Sequence, residues 1–415
     1  MNRIATDITA LWLSSHAHLK PLAKHLPLGV SELRVCPKCS AAGAFHLLAD
    51  LCLASEKWLR SAVVLYCPAC ESFHVADQHL AAIDDNPLVA VDARLWSSHV
   101  GFLNIEPTTR CNFKCWYCIG RHMTQADVEP ASFSSMLDHA GAVAAIALVG
   151  EGEPLLHPDF FTMATQVRDS GRKVLMISNG SQLSNENIQR LCESEVLYIA
   201  VSIDSTRQDY FSRSRKHGNL SEVLDGMARL RAYRDTHGYT YPKLGIKGTL
   251  LDYNAQEMIE IIKLARDHGA ETFERFQPLN PKCSYAAIYP PEEQAQLGRV
   301  SHISEIVGGQ LAAARRILQP TEEFLAQEGI LLAAETRANP LRPHCDPQYA
   351  YALLSGDMTP CCQVKSQISA DWNLANRPLS EILRDPAYET MRFNLWNGIF
   401  PDDCAGCVAT PVPPA

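Results

Sequence analysis

The sequence predicts an α/β protein built on a partial (β/α)6 barrel of the TIM type, with a smaller domain on either side. Three observations support this fold class. Short apolar runs alternate with helical patterns in the middle of the chain, the helical patterns carry cap residues, and cysteine groups flank the alternating region. Strict alternation of strand and helix implies a parallel sheet with right-handed crossovers. Six units are too few to close an eight-stranded barrel, so the predicted barrel is open.

The six predicted strands are short apolar runs that end in polar or glycine-containing turns. They are GFLNIEPT (101–108), AIALVG (145–150), KVLMISNG (173–180), LYIAVSID (197–204), KLGIKGTLL (243–251) and TFERFQPL (272–279). Helical patterns between them are HPDFFTMATQVRDSG, SNENIQRLCES, NLSEVLDGMARLRAYRDTHG and NAQEMIEIIKLARDHG. Several begin at Asn, Ser or Asp and end at Gly, as capped helices do. Residues 291–335 also have a helical pattern.

The length of 415 residues is enough for two to three folding units. We expect an N-terminal region over 1–95, the barrel with a helical extension over 96–335, and a cysteine-rich domain over 336–415. The first boundary falls where the N-terminal cysteine pairs give way to the first strand. The second falls where helical patterns give way to turn residues.

Composition narrows the classes of function. The formal net charge is −9, so no basic surface for nucleic acid or acidic lipid is expected. No apolar run is long enough to span a bilayer, and the N-terminus lacks the features of a secretory signal, so we expect a cytoplasmic protein. Fifteen cysteines in that reducing compartment do not form a disulfide framework. Their clustering predicts several metal sites.

The loop after the first predicted strand is TTRCNFKCWYCIG, with cysteines at 111, 115 and 118. Cysteine thiolates hold iron–sulfur clusters, and three of them leave one iron of a four-iron cubane without a protein ligand. An open metal position lets a substrate or cosubstrate bind. The alternatives are a zinc loop that lacks one partner, or three buried cysteines close together by chance.

The Cys-x3-Cys-x2-Cys spacing, with Tyr117 before the third cysteine, resembles the radical S-adenosylmethionine (radical SAM) superfamily. The resemblance implies a [4Fe–4S] cluster on Cys111, Cys115 and Cys118 that binds S-adenosylmethionine at its open iron. It also implies reductive cleavage to a 5′-deoxyadenosyl radical, which takes hydrogen from a substrate. The resemblance covers roughly residues 100–280.

Further strand ends resemble the superfamily's cosubstrate-binding motifs. The second predicted strand ends in GEGEP where the superfamily usually has Gly-Gly-Glu-Pro, so Glu151 replaces the first glycine and Gly152 and Glu153 match the rest. The resemblance implies that Glu153 holds the ammonium of the cosubstrate, while Glu151 is an exposed carboxylate in the simpler interpretation. Asn179, Ser202 and Arg215 are the remaining candidates. A turn asparagine, a strand serine and a surface arginine are the alternatives.

The C-terminal cysteines resemble the auxiliary-cluster extensions of radical SAM enzymes called SPASM and twitch domains. The segment CDPQYAYALLSGDMTPCC predicts a hairpin with Gly356 in the turn, and CAGC follows near the end of the sequence. The implied ligands of one auxiliary [4Fe–4S] cluster are Cys345, Cys361, Cys404 and Cys407. Cys362 is a spare neighbour that could exchange with Cys361. A zinc ribbon on the same four cysteines, or an exposed auxiliary iron that binds substrate, is the alternative.

Two Cys-x2-Cys pairs near the N-terminus predict a zinc-ribbon-like domain. CPKC (36–39) and CPAC (67–70) each follow strand-like residues, and four thiolates suit tetrahedral zinc. The ligands would be Cys36, Cys39, Cys67 and Cys70. The domain either recognises a substrate or partner or is stabilised by its metal alone. A third iron–sulfur cluster is the other possibility.

Several single residues complete the candidate site. Cys283 follows the sixth predicted strand and could return a hydrogen atom to a substrate radical, although a buried structural thiol is the commoner role for such a residue. Cys52 and Cys192 lie in helical patterns and are expected in the core. Candidate substrate contacts near strand ends, each of which could instead be an internal polar partner, are Glu106, Lys247, Glu274 and Gln277.

The predicted function is a radical SAM enzyme that oxidises or rearranges a small polar substrate such as a sugar or aminocyclitol. The main alternatives are a maturase that modifies a peptide or protein, of the sulfatase-maturing or ribosomal-peptide type, and an epimerase with Cys283 as hydrogen donor. A non-catalytic zinc-binding interaction protein is a remote third class. A reducing partner such as flavodoxin or ferredoxin is implied, with neither nucleic acid nor membrane as a partner.

Overall fold

A computed structural model gives the fold of the chain. The described residues are 33–35, 39–40, 42–44, 46–55, 58–67, 69, 72–77, 92–95, 102–141, 143–250, 254–274, 276–278, 291, 303–330, 349–362 and 364–396. The sequence also predicts one or two helices in the first 30 residues, which lie outside the described ones.

A mostly parallel sheet forms the centre of the molecule. Its strands are β7 (Phe102–Ile105), β8 (Ala145–Leu148), β9 (Lys173–Ser178), β10 (Tyr198–Ser202), β11 (Lys243–Lys247), β13 (Thr272–Phe273), β15 (Gln319–Pro320), β16 (Tyr349–Ala352) and β17 (Met358–Thr359). Their spatial order is β15-β13-β11-β10-β9-β8-β7-β16-β17, and every adjacent pair is parallel except β16 and β17. All six predicted strands are present. Two of the predicted runs continue into a short parallel pair, β12 (Thr249–Leu250) with β14 (Gln277–Pro278).

The sheet extends beyond the six predicted strands at both edges. β15 pairs with β13 in the helical extension, and β16 pairs with β7 in parallel. The hairpin expected around Gly356 is confirmed, since β16 and β17 are antiparallel and Gly356 has a φ of +84°. This hairpin joins the edge of the barrel sheet, which the sequence did not predict because the pairing connects segments far apart in the chain.

The helices are α1 (Pro130–His139), α2 (Phe160–Asp169), α3 (Asn185–Glu193), α4 (Gln208–Ser214), α5 (Leu220–Thr236), α6 (Met258–Asp267), α7 (Ile303–Ala314), α8 (Thr321–Gln327), α9 (Leu379–Leu383) and α10 (Pro386–Trp396). Short 3-10 helices cover Ile119–His122, Pro154–Leu156 and Ala255–Glu257. Asn254, which starts the fourth predicted helical pattern, makes no side-chain cap hydrogen bond. Two other predicted caps are confirmed: Ser184 accepts from a backbone N–H of α3, and Asn219 does so for α5. Such caps satisfy donors that have no partner inside the helix.

The core lies on both faces of the sheet, as expected for parallel strands. On β10, Ile199 and Val201 face the large cluster formed with the surrounding helices. The alternate residues Tyr198 and Ala200 face a second cluster that includes Phe324 of α8. Because both faces of the strands are covered by apolar side chains, the polar residues concentrate at the strand ends.

The N-terminal strands are antiparallel. β1 (Leu33–Val35) pairs with β2 (Ala42–Ala44), and a four-stranded sheet has the order β5 (Ser72–Asp77), β4 (Trp58–Cys67), β3 (His46–Ser55), β6 (Asp92–Leu95). The helical assignment of Cys52 was wrong, because Cys52 lies in β3 opposite Ser61. Its run of apolar residues fits either a helix or a buried strand, and cross-strand pairing decides between them. Cys192 is in α3 and buried, as predicted.

Within the described residues, no helix has both the length and the apolar character that crossing a membrane requires.

Candidate functional site

Three cysteines lie in the loop that follows β7. Cys111, Cys115 and Cys118 line one cavity with about 250 Å³ of empty volume, part of it open to solvent. Cys115 is buried and the other two are half-buried. Among the described residues, no three His, Cys, Asp or Glu side chains lie close enough to share a single metal ion. In a cubane each thiolate binds a different iron, so the donor set fits a cluster.

The cysteine loop is fixed by polar contacts to the chain that follows it. The Thr109 hydroxyl donates to the carbonyl oxygen of Thr124 at 2.7 Å. Arg110 forms an ion pair with Asp127, with Nη2 and Oδ2 2.7 Å apart. Held at both ends in this way, the loop presents its thiols in a fixed arrangement rather than as a mobile segment.

Burial controls the protonation of the three thiols. It raises the pKa of Cys111, raises that of Cys115 to about 11, and raises that of Cys118 well above its ordinary value. The Asn179 side-chain amide lies 3.7 Å from the Cys111 sulfur and acts in the opposite direction by donating to it. The metal-free thiols therefore keep their protons at neutral pH, and binding a metal must displace them.

The loop after β8 packs directly on the cysteine loop. The N–H of Gly152 donates to the carbonyl oxygen of Thr108 at 3.1 Å, and the N–H of Glu153 donates to that of Arg110 at 2.8 Å. A Cβ on Gly152 would lie 2.5 Å from both carbonyl oxygens. Only glycine permits this approach, so Gly152 is required to bring Glu153 next to the cysteines.

Glu153 is a buried carboxylate with one accepting position left open. It accepts hydrogen bonds from the Ser178 hydroxyl at 2.9 Å, from the Asn179 N–H at 2.6 Å and from the Leu155 N–H at 3.3 Å. A carboxylate can accept about four. Burial raises the pKa of Glu153 to about 7, although these donors and the charge of Arg215 act in the opposite direction. Within the described part of the chain no cation forms an ion pair with it.

Arg215 lies at the end of α4 and pairs with Asp204, which follows β10. The Arg215 Nε and Nη2 atoms lie 2.8 and 3.0 Å from the two Asp204 carboxylate oxygens. Asp204 also accepts from the Tyr117 hydroxyl at 2.7 Å and from the Thr249 N–H at 3.0 Å. Despite the short distance to Asp204, the buried Nε–H of Arg215 has no hydrogen bond of suitable geometry among the described residues.

Asp204 was missed by the sequence analysis, although it is the last residue of the predicted strand LYIAVSID (197–204). Its side chain is fully buried, and it joins the cysteine loop to Arg215 through Tyr117. A buried aspartate at the end of a parallel strand is the signal that could have identified it.

The other cosubstrate candidates also lie at strand ends. Asn179 follows β9 and donates to the Asn112 side-chain oxygen at 2.9 Å, in addition to its contact with Cys111. Ser202 is the last residue of β10, is buried, and stands opposite Lys247 of β11 in the sheet register. The carboxyl ends of the parallel strands therefore bring these residues to the same edge as the cysteines.

The predicted substrate contacts are engaged with other side chains. Lys247 and Glu274 form an ion pair with Nζ and Oε2 3.2 Å apart. Although burial acts in the opposite direction, the Glu274 charge raises the pKa of Lys247. Glu106 is buried and accepts from the Glu151 N–H at 3.0 Å and the Tyr351 hydroxyl at 3.3 Å. Gln277 lies in the short strand β14.

Glu151 is not the exposed carboxylate of the simpler interpretation. Its side chain is 19% exposed and forms an ion pair with Lys365, with Oε1 and Nζ 3.0 Å apart. Lys365 follows the β16–β17 hairpin and was not singled out from the sequence, because nothing in its local segment QVKSQ distinguishes it from a surface lysine.

The remaining predicted residues are only partly described. Cys361 and Cys362 follow β17 and are half-buried, Cys39 is exposed, and Cys67 is the last residue of β4. The other predicted metal ligands and the candidate hydrogen donor lie outside the described residues: Cys36, Cys70, Cys283, Cys345, Cys404 and Cys407.

The protein has an α/β fold with a thiol-lined cavity at the carboxyl edge of a partial parallel barrel. Residues 105–265 match the family model described as the radical SAM superfamily. The chain therefore carries a radical SAM domain, and this domain contains the three-cysteine loop and the ends of β8 to β11.

Curated relatives match over similar lengths. The chain is 25% identical over 202 residues to the tungsten-containing aldehyde ferredoxin oxidoreductase cofactor-modifying protein of Pyrococcus furiosus, covering 45% of this chain and 55% of the relative. It is 32% identical over 177 residues to a GTP 3′,8-cyclase of Marinobacter nauticus, covering 40% of this chain and 51% of the relative. The chain thus spans about half the length of these relatives.

Solved structures share the fold. SuiB of Streptococcus suis bound to the precursor peptide SuiA has a TM-score of 0.52 at 15% identity, covering 75% of this chain and 70% of SuiB. The enzyme anSMEcpe with bound AdoMet and the Cp18Cys peptide has a TM-score of 0.52 at 14% identity, covering 72% of this chain and 88% of that one. At this identity the likeness establishes the fold alone.

Proposed function

We propose that the chain is a radical SAM enzyme. A [4Fe–4S] cluster on Cys111, Cys115 and Cys118 would supply the electron that cleaves S-adenosylmethionine, and the resulting radical would take hydrogen from a substrate at the barrel edge. The observation that carries this proposal is the convergence of three cysteine thiols on one cavity, with no fourth cysteine among the described residues that line it. Three thiolates leave one iron of a cubane open to a cosubstrate.

Glu153 fits the ammonium group of S-adenosylmethionine. The carboxylate is buried, retains one free accepting position, and has a pKa raised to about 7 because burial leaves its charge poorly compensated. A cation at that position would supply the missing compensation. Ser178 and the Asn179 N–H hold the carboxylate in place for this contact.

Arg215 suits the carboxylate group of the same cosubstrate. The Nη2 hydrogen bond to Asp204 orients the guanidinium, and the buried Nε–H, which lies close to Asp204 but does not donate to it with suitable geometry, retains capacity for another acceptor. Ser202 at the neighbouring strand end is a second candidate donor. Burial of these groups excludes water and so strengthens each polar contact to the bound molecule.

For the substrate, we propose a small polar molecule such as a sugar or aminocyclitol, which would be oxidised or rearranged. Charged side chains at the carboxyl ends of β7 and β11, Glu106 and Lys247, support a polar site at this edge. A peptide is the second candidate, because SuiB and anSMEcpe are both described with bound peptides. With either class of substrate, the enzyme could be an epimerase in which Cys283 is the hydrogen-atom donor.

We further propose one auxiliary [4Fe–4S] cluster on Cys345, Cys361, Cys404 and Cys407. The support is the β16–β17 hairpin, which ends just before Cys361 and pairs with β7, the strand that leads into the first cysteine loop. The first cysteine loop follows β7 and Cys361 follows β17, and only β16 separates these two strands in the sheet. Electron transfer from a flavodoxin or ferredoxin belongs to the same proposal.

The N-terminal cysteines are proposed to hold zinc. Cys36 and Cys39 stand in the connection between antiparallel strands β1 and β2, Cys67 is the last residue of β4, and Cys70 stands in the connection from β4 to β5. A Cys-x2-Cys pair at the tip of an antiparallel pair is the arrangement of a zinc knuckle, and two such pairs supply four thiolates.

Anaerobic reconstitution tests the function. The protein should contain about eight irons and about one zinc per chain, and adding S-adenosylmethionine should perturb the electron paramagnetic resonance (EPR) signal of the reduced cluster. Reduced protein should form 5′-deoxyadenosine. The triple variant Cys111→Ala, Cys115→Ala, Cys118→Ala should lose about four irons and all cleavage, whereas Cys192→Ala in α3 should retain both. Intact cleavage in the triple variant would contradict the proposal.

The substrate classes are separated by the same reduced protein. Candidate sugars, aminocyclitols and peptides are each added, and 5′-deoxyadenosine formation above the substrate-free rate is measured. Stimulation by peptides alone would refute the small-molecule proposal and favour a maturase. Consumption of S-adenosylmethionine in proportion to product indicates oxidation, whereas its regeneration indicates an isomerase.

A further inference from the structure

The carboxylate of Glu151 contacts two different parts of the chain. Its Oε2 atom lies 3.4 Å from the Cys118 sulfur, and its Oε1 atom lies 3.0 Å from the Lys365 ammonium. Glu151 therefore stands between a proposed cluster ligand and a cation from the C-terminal region. It occupies the position of the first glycine of the superfamily's usual Gly-Gly-Glu-Pro, so this contact is a departure of this chain from that pattern.

Lys365 is buried and held by more than one partner. Its side chain is 5% exposed, and Nζ lies 2.7 Å from the Tyr351 hydroxyl and 3.4 Å from Glu106 Oε1. Glu106 also accepts the backbone N–H of Glu151, which fixes the loop that carries the carboxylate. Because three elements converge on Lys365, its ammonium cannot move away from Glu151 without disturbing β7 and β16.

Ligation of a cluster changes the contact between Cys118 and Glu151. In the metal-free protein the Cys118 thiol donates to the carboxylate. A cluster ligand is a thiolate and has no proton to donate. The carboxylate and the sulfur then become two negative groups at contact distance, a pair that disfavours adding an electron to the cluster. The Lys365 charge on the other carboxylate oxygen opposes that effect.

We propose that Glu151 and Lys365 act as a charge pair that sets the reduction potential of the cluster held by Cys118. The inference rests on the proposed function, since it requires the first cluster. Glu151 lowers the potential and Lys365, as a positioning residue, limits how far it is lowered. Because Lys365 follows the hairpin that ends before Cys361, the C-terminal region contributes directly to the electrostatics of the first cluster.

The test is a set of redox titrations followed by EPR, with the S-adenosylmethionine-sensitive signal identifying the first cluster. Glu151→Gln should shift its midpoint potential to more positive values, and Lys365→Met should shift it to more negative values. The double variant should lie between the two. Lys263→Met, which removes the exposed partner of Glu260 on α6, is the matched control and should leave the potential unchanged.

The opposite signs distinguish electrostatic control from simple anchoring. If the pair merely fastened the C-terminal segment, both single variants would lower the unfolding temperature with unchanged potentials or with shifts in the same direction, and the inference would be overturned. Should Lys365→Met fail to take up iron, Glu151→Gln decides alone, since an unshifted potential there overturns it. Absence of any S-adenosylmethionine-sensitive signal in the unaltered protein would instead remove the proposed function itself.

Discussion

The protonation of Glu153 predicts how cosubstrate binding depends on pH. Burial raises the pKa of this carboxyl to about 7, and the proposed ammonium contact requires its ionised form. A proton and the cosubstrate ammonium therefore compete for the same carboxylate. The affinity should be constant only well above pH 7, and it should fall as the pH drops through 7 because the ionised fraction falls. Replacing Glu153 by Gln should abolish this dependence, since the amide does not titrate.

The magnitude follows from the ionised fraction. At pH 6 a group with a pKa of about 7 is about 9% ionised, so the apparent Kd should rise about 11-fold above its plateau, or about 1.4 kcal/mol. Glu153→Gln should weaken binding at pH 7.5 by about 3 kcal/mol, on the order of 100-fold, because the ammonium loses its buried counter-charge.

Isothermal titration calorimetry of the anaerobically reconstituted protein between pH 6 and 7.5 measures both effects. Glu186→Gln on α3, where the side chain is 81% exposed, is the control and should keep the affinity and the pH slope of the unaltered protein. Iron content verifies that each variant carries its cluster. A flat affinity over this range, or a Glu153→Gln variant with the same slope, would refute the assignment of Glu153 to the ammonium.

The remaining predictions concern stability of the cosubstrate-free protein. Folding raises the pKa of Glu153 from 4.5 to about 7. Its contribution to the free energy of unfolding is therefore fully present below pH 4.5 and is lost as the pH rises through 7. Urea unfolding of Glu153→Gln should lack this change of about 3 kcal/mol. Gly152→Ala should reduce iron incorporation, because the added Cβ would meet two carbonyl oxygens. Its control is Gly309→Ala within α7, where no heavy atom lies within 4 Å of the added Cβ. This control should stabilise the folded protein by up to about 1 kcal/mol. Asp204→Asn should lower the free energy of unfolding by about 3 kcal/mol, because it leaves the Arg215 charge buried without its partner; an unchanged urea midpoint would show that Asp204 is dispensable.

Local patterns explain why the barrel could be predicted. Each of the six predicted strands is an apolar run that ends in polar residues, and β10 is buried along its whole length. The helices α3 and α5 begin at the side chains that were identified as caps. These signals depend on residues only a few positions apart, so they can be recognised from the sequence alone.

Elements without such local patterns were missed. β15 has two residues and shows no periodicity, and α4 has only seven residues, between β10 and α5. β16 has an apolar run, but its parallel pairing with β7 depends on tertiary packing. The error at Cys52 has the same origin, because the run LCLAS becomes a strand only through the neighbours that pair with it.

The candidate site likewise contains residues that could be predicted from the sequence and residues that could not. Thiols and glycines of the cysteine and Glu153 loops act through short spacings, so motif reasoning locates them. Motif reasoning does not locate the charged and polar partners of the site, because these residues are far apart in the sequence. Tyr117 and Asp204 are separated by 87 positions, and Lys365 and Glu106 by 259. A buried carboxylate needs a partner wherever the fold provides one, and the sequence alone gives no indication of which lysine or arginine that is.

The replacement of a glycine by Glu151 shows why this distinction matters for function. A carboxylate beside a proposed cluster ligand is unfavourable unless a cation is buried with it, and the structure supplies Lys365 from a segment that sequence analysis assigned to a separate domain. Glu151 and Lys365 stabilise each other, because either residue without the other leaves an uncompensated charge in the interior. Lys365 follows a hairpin that pairs with β7, so the C-terminal region places a charge close to the cysteine loop at the edge of the barrel. Removal of the C-terminal region should therefore alter the first cluster even if the auxiliary cysteines are not involved.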